Sequence, residues 1–169
     1  MSKIPENCFC GKVSKKKINM SLLNIVTTPS SKLKKPSEDI KKEKIKEFKS
    51  LIKNMLETMY LSDGIGLAAV QIGLNINLAV IGKEATLDDK DLILINPKII
   101  KHSWRKIIAE EGCLSVPGIT KRVPRFAKIK VKALNQDGQS LNFDASDFLA
   151  RVIQHEIDHL QGILITDYV

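Results

Sequence analysis

The apolar residues of segment 37–60 recur at intervals of three and four, which is the spacing along one face of a helix. The stripe consists of Ile40, Ile45, Phe48, Leu51, Ile52, Met55, Leu56 and Met59. Lysine and glutamate fill the other faces. Ser37 is a good N-cap residue, and the two acids that follow it suit the positive end of the helix dipole. The pattern predicts an N-terminal amphipathic helix over residues 37–60.

After Gly64 the apolar residues fall into short runs, which indicate strands. The candidate strands are residues 78–81, 92–95, 99–106, 129–134 and 140–143. The last two are joined by the sequence Asn-Gln-Asp-Gly at 135–138, whose residue types favour a hairpin turn.

A second helix is predicted to begin at Ser146 or Asp147 and to end at Gln161, with Gly162 as its stop signal. A helix, a set of antiparallel strands and a second helix define the α+β class. We therefore predict antiparallel strands packed around a central C-terminal helix, preceded by the N-terminal amphipathic helix.

The chain of 169 residues is long enough for one domain with a hydrophobic core, which we assign to residues 20–169. Residues 1–19 carry five lysines, one glutamate and no hydrophobic period, so we predict a basic, disordered extension, with Met20 as a candidate start of translation. The formal charge of +8 is concentrated at the N-terminal end. Most basic residues are lysine, whereas base recognition favours arginine, so we predict no sequence-specific binding of nucleic acid.

No apolar run is long enough to cross a membrane, and the N-terminus has no signal-peptide core. We therefore expect a protein of the cytoplasm, bacterial if the resemblance described below holds; an organelle location also stays open. Of the three cysteines, Cys8 and Cys10 lie two positions apart in the extension and are interpreted as incidental. Cys113 is a candidate for chemistry.

His155 and His159 are four positions apart in the predicted second helix, so their imidazoles lie on one face and can hold one metal ion. Glu156 is placed to take a proton from a metal-activated water and to return it to a leaving group. The alternative is a pair of ordinary helix histidines. The remaining histidine, His102, is expected to be exposed. The pattern predicts a metal-dependent hydrolase.

A catalytic metal of this kind normally has three protein ligands. Only ten residues follow His159, with Asp167 as their one acid and no histidine, so the third ligand is expected upstream. Cys113 is the best candidate because a thiolate binds Zn(II) and Fe(II) strongly, and Gly112 lets the backbone approach the metal. A merely buried cysteine is one alternative. A nucleophile paired with His155 is another, but it leaves the histidine spacing unexplained.

Residues 64–71, Gly-Ile-Gly-Leu-Ala-Ala-Val-Gln, contain two glycines within three positions. They lack the third glycine and the Lys-Ser/Thr pair of nucleotide-binding loops, and they follow a helix instead of a strand. The glycines therefore fit the close approach of a ligand's backbone, with Gln71 as an amide donor or acceptor.

Three segments together resemble the peptide deformylase family. Residues 64–71 match its motif Gly-x-Gly-x-Ala-Ala-x-Gln, residues 111–115 match Glu-Gly-Cys-Leu-Ser, and residues 154–160 match Gln-His-Glu-x-Asp-His-Leu. The motifs occur in the family's order and spacing, and the resemblance covers about residues 20–168.

The resemblance implies a hydrolase that removes the formyl group from the N-formylmethionine of new polypeptides and releases formate. It implies that one divalent metal ion is held by Cys113, His155 and His159. That ion is usually Fe(II) in bacteria, and Zn, Ni or Co often replaces it.

The resemblance also implies roles for other residues. Glu156 acts as acid and base, while the Gln71 side chain and the Leu114 backbone N–H stabilise the oxyanion, as donors aimed at developing charge do.

The substrate is expected to lie extended along backbone groups near Ile65, Gly66 and Gly112, like an added strand. Its methionine side chain would enter an apolar pocket, for which Ile65, Phe148 and Val152 are the candidate walls. The alternative for these side chains is an ordinary role in the core.

The expected partners are N-formylmethionyl nascent peptides, and we expect a monomer. Many bacterial members continue into a charged C-terminal helix implicated in ribosome docking, but this chain stops at Val169, so docking by that route is not expected. Attraction of the basic residues 1–19 to ribosomal RNA is a hypothesis.

Many members also place an arginine near 118–122 that contacts the peptide, and Lys121 or Arg122 are candidates for that role. Asp158 cannot face the metal together with the histidines, so we predict that it pairs with a base such as Arg125.

Two other functions stay open: a metalloamidase that acts as an aminopeptidase or endopeptidase, and a structural metal site in a binding module.

Overall fold

The computed structural model describes residues 22–169. The predicted extension 1–19 and Met20 lie outside that range. Within it the helices are α1 (Lys49–Leu61) and α2 (Asp147–Leu160), and the strands are β1 (Gly66–Ala68), β2 (Leu78–Ile81), β3 (Leu92–His102), β4 (Lys106–Cys113), β5 (Val116–Phe126), β6 (Lys128–Leu134) and β7 (Ser140–Ser146).

Five strands form an antiparallel sheet in the order β1-β2-β3-β6-β7, and β4 and β5 form a separate two-stranded hairpin. The helices lie on opposite faces of the larger sheet. In β2, Leu78 and Val80 pack in the core that contains α1, whereas Ile81 packs with α2. All of β2 is buried because both of its faces are covered. The predicted α+β class, with antiparallel strands and a C-terminal helix, is confirmed.

The first helix begins later than predicted. α1 starts at Lys49, and the Lys42–Phe48 segment before it is a 3-10 helix. Residues 37–40 are not helical, so the predicted cap at Ser37 is wrong.

The reason is a set of hydrogen bonds to distant parts of the chain. The Glu38 N–H donates to the Asn75 carbonyl at 3.2 Å, and the Glu38 carbonyl accepts from the Asn77 N–H at 2.8 Å. The side chain of Asn96 bonds both backbone groups of Ile40 at 2.8 Å. These bonds hold the segment extended although its apolar spacing favours a helix.

The predicted strand 78–81 coincides with β2, and the predicted strands 92–95, 129–134 and 140–143 lie inside β3, β6 and β7. The predicted strand 99–106 is wrong, because residues 99–102 complete β3 and β4 begins only at Lys106. Between them Ser103 makes the turn. Its N–H donates to the Lys128 carbonyl at 2.9 Å, and its hydroxyl donates to the Arg105 carbonyl at 3.0 Å.

Two polar side chains of α2 fix the β4–β5 hairpin to the helix. The amide of Gln154 bonds the Phe126 N–H at 2.9 Å and the Phe126 carbonyl at 3.0 Å. Arg151 donates to the carbonyls of Val123 and Ile107 at 3.0 and 2.6 Å. The end of β4, which carries Cys113, is thereby held against the helix that carries the two histidines. None of the helices in residues 22–169 is both long and apolar enough to cross a membrane.

Candidate active site

Three predicted ligand side chains meet where the end of β4 approaches α2. The Nε2 atoms of His155 and His159 are 3.1 Å apart, and the Cys113 Sγ lies 3.1 Å from the His159 Nε2. All three donor atoms lie within 4.8 Å of one another. Within residues 22–169 this is the one such cluster of metal-binding side chains. His102 is exposed, as expected, and stacks on Phe126.

Glu111 is a buried carboxylate behind this cluster. It accepts hydrogen bonds from the Arg125 Nε and Nη2 at 2.9 Å and from Arg151 at 2.6 Å, and it lies 2.9 Å from the His155 Nδ1. Burial alone would raise its pKa, but His155 and Arg125 lower the pKa to about 2. Because an ionised carboxylate only accepts, His155 Nδ1 carries a proton, and its Nε2 is the ring nitrogen that faces the cluster.

The two histidines differ in their affinity for a proton. Burial would lower the pKa of His155, but its contacts with Cys113 and Glu111 raise the pKa to about 10. Burial, together with the nearby His155, holds the pKa of His159 well below its usual value. A thiol and two imidazoles with donor atoms this close together form a set that can hold a metal ion.

A second ring of side chains surrounds Arg125, which is 4% exposed. Its guanidinium contacts the carboxylate of Asp158, which confirms the predicted pair. The Tyr168 hydroxyl donates to Asp158 at 2.7 Å and accepts from Arg125 at 3.0 Å. These contacts fix the guanidinium that holds Glu111.

Glu156 directly follows His155 in the sequence, between the positions of the two histidines, and it is 3% exposed. Its Oε2 is buried and has no hydrogen-bond partner within residues 22–169. Burial raises the pKa of Glu156 to about 7, although His155 and Arg125 oppose the shift. A carboxyl with a near-neutral pKa and a free oxygen is suited to take up and release a proton.

The amide of Gln71 is oriented by its own loop. Its Oε1 accepts the Ala68 N–H at 2.8 Å, so its NH2 group points the other way, 3.2 Å from the Ser115 Oγ and 3.7 Å from the Cys113 Sγ. Gln71 is 2% exposed. A fixed donor is thus aimed at the space beside the cluster.

The cluster opens into a pocket of about 460 Å³. The predicted substrate and oxyanion residues all line it, namely Ile65, Gly66, Gln71, Gly112, Leu114, Phe148 and Val152. Ile65 and Phe148 are partly exposed, which fits the rim of a pocket better than a core position. Lys121 and Arg122 are exposed on β5 and do not line the pocket, whereas Arg151 does.

Sequence reasoning missed Glu111, Arg151 and Tyr168. Glu111 belongs to one of the family motifs, but its neighbour Glu110 is also acidic. Which of the two side chains points inward depends on the pairing of β4 with β5. The alternation of side chains along a strand was the signal available. Tyr168 carried no local signal.

A thiol and two imidazoles that converge beside a buried carboxyl in an open pocket are typical of a metal-dependent hydrolase. Residues 22–169 match the family model described as polypeptide deformylase. The chain therefore belongs to the polypeptide deformylase family. It is a hydrolase that removes the formyl group from N-terminal formylmethionine, and members of this family use a single metal ion.

Individual relatives agree with this assignment. The chain is 41% identical to peptide deformylase 3 of Shewanella oneidensis, over 89% of this chain and 90% of that protein. It is 45% identical to the peptide deformylase of Buchnera aphidicola, over 89% and 88%. The crystal structure of peptide deformylase from Thermotoga maritima aligns with a TM-score of 0.81 at 36% identity, covering 86% of this chain and 96% of that one.

Proposed function

We propose that Cys113, His155 and His159 hold one divalent metal ion, at which this chain hydrolyses the formyl group of N-formylmethionyl peptides. The observation that carries the proposal is the convergence of the three donor atoms beside Glu156, whose Oε2 is buried and unpartnered within the described residues. When bound, the ion supplies Lewis-acid polarisation of the formyl carbonyl and acidifies a water molecule.

The protein's own groups carry the remaining chemistry. Glu156 takes a proton from the attacking water through its free Oε2 and gives it to the leaving amine. The amide NH2 of Gln71 and the backbone N–H of Leu114 stabilise the oxyanion. One donor of this kind contributes roughly 3–4 kcal/mol to the lowering of a barrier. The fixed orientation of Gln71 supports this role because a donor that is already aimed needs no reorganisation.

Strand β1 supports binding of the peptide as an added strand. It is an edge strand of the larger sheet and borders the pocket. The Ile65 carbonyl already accepts the Gly82 N–H at 2.8 Å. Because the direction of backbone groups alternates along a strand, the groups of Gly66 face away from β2 and are available to the substrate. We propose that Gly66 and Gly112 bind the peptide backbone on either side.

The methionine side chain of the substrate is placed against Ile65, Phe148 and Val152. These apolar residues lie on the pocket wall, and the last two stand two turns and one turn before His155 in α2. A solved peptide deformylase of Acinetobacter baumannii, 26% identical with a TM-score of 0.82, is described as bound to Met-Ala-Ser. That peptide is what remains when formyl-Met-Ala-Ser loses its formyl group.

Fe(II) is the proposed metal, with Zn, Ni or Co as alternatives, because one thiolate and two imidazoles suit Fe(II) and Zn(II) alike. Metal analysis of anaerobically purified protein, paired with activity, tests this directly. If the most active preparations contain zinc and no iron, Fe(II) is the wrong assignment.

The assay for the function compares two peptides. Formyl-Met-Ala-Ser should release formate, and Met-Ala-Ser should stay intact, whereas an aminopeptidase would cleave the second. Glu156→Gln should abolish turnover while the metal content stays at one ion per chain. A Glu156→Gln variant that keeps its activity would rule out the acid-base role. A Glu156→Gln variant that loses its metal would show that the carboxylate belongs to the metal site.

We also propose a monomer that acts on nascent chains in the cytoplasm, with residues 20–169 as the catalytic domain and residues 1–19 as an extension. All three metal ligands, Glu156 and the pocket come from one chain, so the site needs no second copy. The match of the family to residues 22–169 supports the domain limits.

A further inference from the structure

One face of the larger sheet carries a group of lysines far from the pocket. In β6 the residues alternate, so that Ile129 and Val131 are buried under α2 while Lys128, Lys130 and Lys132 point to the other side. The core around helix α1 covers that other side at β1–β3 and at Leu134, the last residue of β6. The face formed by β3, β6 and β7 is therefore open where these lysines stand. We call it the lysine face.

Lysines also stand directly opposite one another across the strands of this face. Lys98 of β3 is the register partner of Lys132, and Lys101 is the partner of Lys130. Like charges at directly opposite positions destabilise a sheet. Two such pairs in succession are understandable if the face binds an anion that offsets their repulsion.

Ion pairs among residues 22–169 neutralise only one lysine of this face. Lys98 lies 3.5 Å from Asp39. For Lys101, Lys128, Lys130 and Lys132, no carboxylate of residues 22–169 lies within 4.0 Å of the ammonium group. Asp144 stands opposite Lys130 in β7, but it makes no ion pair with it. Four cations are thus free for an external partner.

An exposed aromatic residue lies at the end of the lysine face. Trp104, in the turn after β3, is 99% exposed and is followed by the exposed Arg105. A groove of about 530 Å³ begins one residue before Trp104 in the sequence, at Ser103, and its charged lining is Lys101, Lys128 and Lys130 against one acid, Asp144. A row of cations along a groove with an aromatic platform at its end is the combination that binds single-stranded nucleic acid, with phosphates on the lysines and a base on the ring.

We propose that the lysine face binds the phosphate backbone of a single-stranded polynucleotide, and that one base stacks on Trp104. Along a strand, side chains on one face are about 7 Å apart, and neighbouring strands are about 4.8 Å apart, so the lysines can follow a chain of phosphates. The sheet separates this face from the pocket, so a bound strand leaves the pocket open to a peptide. Contacts to phosphates and the stacking of one base do not depend on the order of the bases, so this binding has no sequence specificity.

The experiment uses the metal-loaded full-length enzyme and a labelled 12-nucleotide single-stranded RNA, with a DNA strand of the same sequence as a second probe. Trp104 is the one tryptophan of the chain, so its emission reports stacking directly. The test variant changes Lys101, Lys130 and Lys132 to glutamine. The control variant makes the same charge change at three exposed lysines elsewhere, namely Lys41→Gln, Lys44→Gln and Lys46→Gln.

Binding of either strand should quench Trp104, and the probe that binds identifies the source of the phosphates. The test variant should bind on the order of 100-fold more weakly at 0.1 M salt, with a slope of log K against log salt that is smaller by about 2. Trp104→Ala should weaken binding roughly tenfold. Both triple variants should deformylate formyl-Met-Ala-Ser at the wild-type rate, which shows that the site is intact.

The proposal fails if the control variant loses as much affinity as the test variant, because the attraction is then general. It fails if saturating RNA and DNA leave the Trp104 emission unchanged. Vesicles that contain phosphatidylserine are the third probe. Binding to vesicles through these lysines, without binding to either strand, would replace the polynucleotide with a membrane surface.

Discussion

Gly66 and Gly112 both line the pocket, but the space around their α-carbons differs. A Cβ on Gly66 would lie 2.3 Å from the Oε1 of Glu156, a contact that side chains cannot make. A Cβ on Gly112 would meet no atom of residues 22–169 within 4 Å, apart from its chain neighbours, so it would intrude on the space proposed for the substrate. The first glycine therefore leaves room for the side chain of Glu156, the proposed base, and the second leaves open the space proposed for the peptide.

Gly66→Ala should lower kcat on the order of 100-fold, because a displacement of about 1 Å in a catalytic group costs that much. Gly112→Ala should mainly raise KM and leave kcat and Tm close to wild type. Steady-state kinetics with formyl-Met-Ala-Ser and metal analysis separate the two effects. An unchanged KM in Gly112→Ala would mean that the peptide does not pass this residue.

Glu111 links the arginines to the metal cluster, so its replacement tests the network. Glu111→Gln should weaken metal binding roughly 10- to 100-fold, because the carboxylate fixes the ring of His155. It should also lower the free energy of unfolding by about 3–5 kcal/mol, since Arg125 loses one of its two carboxylate partners and Arg151 loses its ion pair. Glu110→Gln is the matched control: it removes the same charge from the neighbouring exposed residue. A Co(II) titration in which both variants bind equally well would contradict the role of Glu111.

The pH dependence of the same variant has a definite sign. The folded pKa of Glu111, about 2, lies below the ordinary value of 4.5. Its ionised form therefore stabilises the protein fully above pH 4.5, and this contribution is lost as the pH falls toward 2. The difference in unfolding free energy between the metal-free wild type and Glu111→Gln should shrink as the pH falls from about 4.5 toward about 2. A constant difference would mean that the charge of Glu111 is not what stabilises the fold.

At the scale of elements, Gly162 follows the end of α2, and Gly138 lies in the turn between β6 and β7. Gly162 and Gly138 have almost the same backbone angle, with φ of +78° and +77°, which disfavours any L side chain. They differ in their surroundings. A Cβ on Gly162 would lie 2.6 Å from the Lys34 carbonyl oxygen, whereas one on Gly138 would make only ordinary contacts at 3.7 Å or more.

Gly138→Ala should therefore lower the free energy of unfolding by about 1–2 kcal/mol, because an L side chain at this positive φ strains the backbone and nothing else is disturbed. Gly162→Ala should cost about 1–3 kcal/mol more, because the segment around Lys34 must move as well. Urea denaturation of the two variants, measured side by side, gives the comparison. Equal losses would show that the chain near Lys34 shifts freely to make room.

The elements that could be predicted from the sequence are those with local causes. Helix α2 has its own apolar period and its own stop glycine, and β2 is a short buried run of apolar residues. Helix α1 was placed too early because Ile40 is held by Asn96, a contact across the fold that no local pattern contains. Strand β5 was missed because prolines and basic residues interrupt it and because only its pairing with β4 makes it a strand.

At the scale of the whole molecule, the proposed metal ligands belong to two parts of the fold that share no ladder of backbone hydrogen bonds. Cys113 belongs to the β4–β5 hairpin, and both histidines belong to α2. The side chains of Arg151 and Gln154 already join the hairpin to the helix. A bound ion adds a further link between them.

Metal removal should therefore lower the stability of the whole protein and loosen the hairpin most. A ligand present at about 100 times its Kd stabilises a fold by about 2.7 kcal/mol, which corresponds to roughly 5–10 °C in Tm for a chain of this size. Chelation should lower the Tm of the wild type by that amount and leave Cys113→Ser unchanged, because that variant loses the thiolate ligand. Hydrogen exchange should accelerate in β4 and β5 before it accelerates in β2, which is buried on both faces. If chelation changes exchange equally in all strands, the ion stabilises the molecule without linking its two parts.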